Sequence, residues 1–95
     1  MATKKNAAEV KAPKSAADIL RAAIAKMDIT QTAAAEMMGM HIQNLHRYLS
    51  GERRVTAKIA KRAEYYLGEE NISAAKLIRA QAETDIFNLA DVEID

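Results

Sequence analysis

The sequence predicts an all-α fold of five short helices, and three observations carry that expectation. Hydrophobic residues make up 49% of the 95-residue chain but aromatic ones only 4%. The core is therefore built from Ala, Leu, Ile and Met, which favour helices over sheets. Pro occurs once and Gly three times, too little punctuation for an all-β chain. Apolar residues recur at three- and four-residue spacing along the chain, with Ser or Thr repeatedly standing just before the periodic stretches.

The elements follow in order. Residues 1–14 hold four lysines, Pro13 and no bulky apolar residue except Val10, and are expected to form a disordered basic arm. Ordered structure, expected over residues 15–90, begins at Ser15, which with Asp18 makes a Ser-x-x-Asp start signal. Ile19, Leu20, Ala23, Ile24 and Met27 form the apolar side of a first helix, interrupted at Asp28 and Ile29. Thr30 caps a short second helix, Gln31 to Met38, which Gly39 stops. A third runs roughly from His41 to Leu49, burying Leu45 and Leu49 with Tyr48 partly covered, and ends at Ser50-Gly51. After the basic loop Glu52-Arg53-Arg54, Thr56 caps a fourth helix with Ile59, Ala60, Ala63 and Leu67 inward, and Gly68 ends it. A polar loop, Glu69 to Ile72, leads to Ser73 and a fifth helix reaching about Leu89, its apolar stripe being Leu77, Ile78, Ala82, Ile86 and Leu89. Residues 91–95 are expected to fray.

Charge is distributed unevenly behind a net value of +1. Residues 41–62 carry six Lys/Arg against Glu52, a net of +5, whereas residues 63–95 carry eight acids against Lys76 and Arg79, a net of −6. A basic block beside an acidic third implies a polyanion-binding face and a second surface of another kind. Without cysteine, disulfides, thiolate metal sites and thiol catalysis are excluded. His41 and His46 stand five residues apart on one helix with no third ligand nearby, so no metal and no cofactor is expected. No catalytic triad or paired-carboxylate spacing points to an enzyme. With no long apolar run and no signal-type segment, a cytoplasmic protein without membrane association is expected.

The segment Ile29 to Thr56 places two short helices around a Gly-containing turn, with small Ala35 where they approach and Leu45 filling the angle. That arrangement lets one helix enter a major groove while the other braces it. The Thr30-Gln31 opening and the Ser50-Gly51-Glu52-Arg53 loop resemble the Xre/Cro-type helix-turn-helix family. Ala16 to Leu20 and the stretch Ile78 to Ile86 are similar, more narrowly, to the HigA-type antitoxins, over about residues 16–89. Leu77 and Thr84 stand where that subfamily carries Trp and Tyr, and Ala34 and His41 where it carries Leu and Ser. The resemblance implies a lambda-repressor-like domain that binds a double-stranded DNA operator as a homodimer and represses transcription. It further implies an autoregulating antitoxin that neutralises a basic, mRNA-cleaving ribonuclease toxin.

Arg47, on the outer side of the third helix, is suited to a bidentate guanine contact, and Gln43 one turn earlier to adenine. His41 either touches DNA or serves as an unusual N-cap. Gln31 and Asn44 lie where the family anchors phosphates, and Arg53 and Arg54 are placed to grip phosphates beside the groove. Lys58, Lys61 and Arg62 read as a solvated helix face. Met38 and Met40 are expected to fill core volume beside Ala34. Ile78, Ala82, Ile86 and Leu89 are the expected dimer interface. Two other readings stay open: a stand-alone phage-type repressor, and an acidic protein-interaction module that binds no DNA.

Overall fold

The computed structural model describes residues 14–93, which form five α-helices and a closing 3-10 turn, with no strand among the described residues. Helix α1 spans Ala16–Lys26, α2 Gln31–Met37, α3 Ile42–Leu49, α4 Ala57–Leu67 and α5 Ala74–Phe87, and the 3-10 turn Asn88–Asp91 follows. The expected arm falls almost wholly, and Ile94 and Asp95 fully, outside the described residues.

Each N-terminus is set by the residue the sequence supplies there. Ser15 and Asp18 form a reciprocal capping box, each side chain accepting from the other's backbone N–H at 3.1 Å. Thr30, Thr56 and Ser73 cap α2, α4 and α5 by accepting from the backbone N–H three residues on. His41 occupies the N-cap position of α3 but makes no side-chain cap hydrogen bond among the described residues. Asp28 breaks the chain after α1 by taking a left-handed conformation (φ 59°), which Asp tolerates better than most non-Gly residues.

Helices α1 and α3 pack on each other and α2 on α3, while α4 and α1 both pack against α5. The core is aliphatic: Leu20, Met38, Leu45 and Leu77 are its largest fully buried side chains, surrounded by nine buried alanines, among them Ala34, Ala35 and Ala60. Small side chains let the helices approach closely, and Met38 is buried in the same core as Ala34, with Met40 half-buried against it. Tyr48, expected to be partly covered, is buried.

Several expectations are corrected. Regular α-helix ends at Phe87 rather than Leu89: beyond Ala80 no residue of the helix is buried, and the chain tightens into a 3-10 turn. Asp91 belongs to that turn and is not part of a frayed tail. The loop before α5 is not merely polar, since Ile72 is buried in the core, as is Val55 before α4. Of the fifth helix's apolar stripe only Leu77 joins the core, with Ala74 and Ala80, and Ile78, Ala82, Ile86 and Leu89, the four expected outside it, are exposed.

Candidate nucleic-acid interface

The bend between α2 and α3 is built on Gly39 (φ +69°). Its N–H donates to Glu36 O at 3.1 Å and that of Met40 to Ala35 O at 2.9 Å, closing α2 while the chain turns. Ala35 and Leu45 are buried where the two helices meet. Helix α3 is thereby fixed with Leu45, Tyr48 and Leu49 inward and its opposite side to solvent.

That solvent side carries the residues expected on it. Gln43 and Arg47 are exposed one turn apart, Asn44 is half-buried on the flank, and His41 is exposed at the start of the helix. Exposed Gln31 begins α2 beside them. His46, three residues after Gln43 and next to Arg47, shares the exposed side. The sequence marks it only as a poor metal ligand, although its spacing from Gln43 is the signal that places it on this side.

The turn after α3 is fastened to the helix. Ser50 Oγ and the Arg53 N–H both donate to Arg47 O, at 3.1 Å each, and the Gly51 N–H donates to Tyr48 O at 3.2 Å. Gly51 takes φ +83°, a conformation that reverses the chain at little cost only for glycine. The Arg53 guanidinium lies 5.9 Å from the centre of the Tyr48 ring, a cation–π contact that holds the cation at the rim of α3. Arg54 turns the other way and pairs with Asp85 of α5. The two neighbouring arginines, expected to act alike, are therefore held differently.

Three residues outside the expected set complete the frame. The Arg21 guanidinium pairs with Asp18 and donates to Leu49 O, tying α1 to the C-terminal end of α3, where a helix favours positive charge. Gln81 accepts the Val55 N–H, and Asp85 accepts from both Gln81 and Arg54. The three long-range pairings, Arg21 with Leu49, Val55 with Gln81 and Arg54 with Asp85, have no periodic signature in the sequence.

An amphipathic α3 with an exposed polar side, braced by α2 and followed by a basic turn, is the geometry of a helix-turn-helix DNA reader. The sequence profile of the Xre/Cro-like helix-turn-helix family matches residues 20–73, more than half of the chain, and the chain belongs to that family. It is a DNA-binding transcription regulator. No curated protein and no solved structure matches the chain significantly. No helix among the described residues is long and apolar enough to cross a membrane.

Proposed function

We propose that the chain is a sequence-specific repressor that binds its operator as a homodimer and works in the cytoplasm. The observation that carries this reading is the exposed side of α3, where Gln43, His46 and Arg47 stand together with Arg53 at the rim. Arg47 reads guanine and Gln43 adenine, while Gln31, Asn44 and Arg53 contact phosphates. His41 lies at the groove edge. The dimer forms through Ile78, Ala82, Ile86 and Leu89, spaced four, four and three residues apart along one side of α5 and its extension. Ile86 and Leu89 are 65% and 62% exposed in the monomer, a cost that a second copy would relieve. The test is equilibrium binding of the full chain to the duplex upstream of its own gene and to a scrambled duplex, with sedimentation of the free protein. Equal affinity for the two duplexes rejects specific repression, and a monomer at micromolar concentration rejects the α5 dimer.

The antitoxin role is a second proposal, favoured by the net −6 of residues 63–95 beside exposed Tyr65 and Tyr66. An acidic surface with aromatic contacts suits a partner that is basic because it binds RNA. Co-expression with the neighbouring gene checks it: growth rescue and co-purification support a ribonuclease toxin as partner, and a harmless neighbour leaves a stand-alone repressor.

A further inference from the structure

The turn that carries Arg53 and Arg54 is held from two sides, and only one of them belongs to the helix-turn-helix. On the α3 side its anchor is Arg47 O, which accepts from Ser50 and Arg53. On the α5 side three groups form a chain. The Val55 N–H donates to Gln81 Oε1 at 2.8 Å, Gln81 Nε2 donates to Asp85 Oδ1 at 3.0 Å, and Asp85 Oδ2 accepts from Arg54. The Gln81 amide has its carbonyl toward Val55 and its amino group toward Asp85, so each neighbour enforces the same orientation. Val55 itself is 2% exposed, which anchors the end of the turn in the core. The Gln81 and Arg54 donors, in that order, hold the Asp85 carboxyl below the usual carboxylate range.

We propose that Gln81 and Asp85 are positioning residues for the DNA-backbone contact made by the 51–55 turn. They hold the turn through Val55 and Arg54, so that Arg54 is a strut to α5 and Arg53, in cation–π contact with Tyr48, is the cation that meets the phosphate. The inference rests on the DNA-binding reading and sharpens it, because two adjacent arginines receive different tasks. The Arg54–Asp85 pair is largely exposed and screened, so its effect is on the geometry of the turn more than on global stability. A groove of about 300 Å³ runs from Arg54 and Val55 to Ile78 and Ala82, placing the clamp next to the exposed row of α5.

The experiment compares the full chain with Asp85→Asn, Arg54→Gln and the double variant. Two quantities are read: affinity for a duplex selected from a random pool across a salt series, and hydrogen exchange of the Val55 amide by NMR. Each single variant is expected to weaken binding about two- to tenfold, the net worth of one hydrogen bond. The salt slope stays at its wild-type value, Val55 exchange speeds up, and the double variant is no weaker than either single. Asp85→Asn binding more tightly, with a slope steeper by about one phosphate contact, overturns the proposal: Asp85 would then compete with DNA for Arg54. Unchanged Val55 exchange in Asp85→Asn and in Gln81→Leu overturns the clamp itself. If the wild-type chain binds no duplex at any salt concentration, the DNA reading fails, and the exchange data still judge the clamp separately.

Discussion

The body from α1 to α4 and the C-terminal half of α5 treat apolar residues in opposite ways. In the body nearly every large aliphatic side chain is covered: Leu20, Ile24, Leu45, Leu49, Val55 and Leu67 are buried, and Ile19, Ile42 and Ile59 are half-buried against them. From Ile78 onward the chain carries Ile86, Phe87, Leu89 and Val92 in exposed positions. Apart from Met37 on α2 and Tyr65 and Tyr66 on α4, the first region leaves no large apolar side chain exposed. The second holds apolar area that its own fold does not cover, beside acidic residues that keep it wet. Leu77 and Ile78 mark the boundary: adjacent in sequence, one is fully buried and the other 39% exposed. Substitutions at the two ends of α5 should therefore fail in different ways.

Leu77→Ala is expected to produce the largest effect, a loss of about 2–5 kcal/mol from the cavity left among α1, α4 and α5. Denaturant titration measures it, and a loss well under 1 kcal/mol would mean that the core collapses readily onto the alanine. Ile86→Asp should leave the fold intact and abolish the dimer, weakening operator binding through loss of the second half-site. Sedimentation together with circular dichroism separates the outcomes. A folded dimer moves the interface elsewhere, and an unfolded chain returns Ile86 to the core.

Within the body, the proposed contrast lies between groups that read sequence and groups that only hold the duplex. Arg47→Ala is expected to cost about 1–3 kcal/mol of discrimination between operator and scrambled duplex. An unchanged ratio removes Arg47 from the base-reading set. Arg53→Ala should weaken both duplexes alike and lower the salt slope by about one. A wild-type slope would place the Arg53 guanidinium on Tyr48 alone, away from any phosphate.

Local signals made most of the body legible. Ser15, Thr30, Thr56 and Ser73 announced four helix starts because capping is decided within three residues of the cap, and Gly39 and Gly51 marked turns that need positive φ. The outward placement of Gln43 and Arg47 followed from the inward placement of Leu45 and Leu49, since one helical face fixes the other. What was hidden depended on contacts distant in sequence. Arg54 and Asp85 are 31 residues apart, Val55 and Gln81 26, and Arg21 and Leu49 28, so no local pattern distinguished Arg54 from Arg53 or singled out Arg21. The apolar stripe of the fifth helix divides for a related reason, with Leu77 in the core and Ile78, Ala82, Ile86 and Leu89 outside it. Periodicity reports which residues share a face, but the direction that face takes depends on how α1 and α4 pack against it.

The smallest expected effect concerns the start of α1. Asp18 accepts from the backbone N–H of Ser15, and that bond, with help from the Ser15 side chain and the Arg21 cation, holds its carboxyl below the usual carboxylate range. A carboxyl whose pKa is lower folded than unfolded adds stability at neutral pH. That stability fades as pH falls through the folded value, where protonation removes both the ion pair and the favourable charge at the helix N-terminus. Asp18→Asn keeps an acceptor for the Ser15 N–H but discards the charge. Because the group is largely exposed and salt-screened, the loss at neutral pH should be about 0.3–1 kcal/mol. Wild type and variant are expected to converge in stability as the acid limb is reached. The measurement is urea unfolding of both proteins from neutral pH down through the carboxylate range. A gap that persists at the acid end would assign the difference to the shape of the capping box instead of the charge on Asp18. The same variant checks the Arg21 tie: with its carboxylate partner gone, Arg21 keeps only Leu49 O, and any added loss of operator affinity reads how far α1 steadies the end of α3.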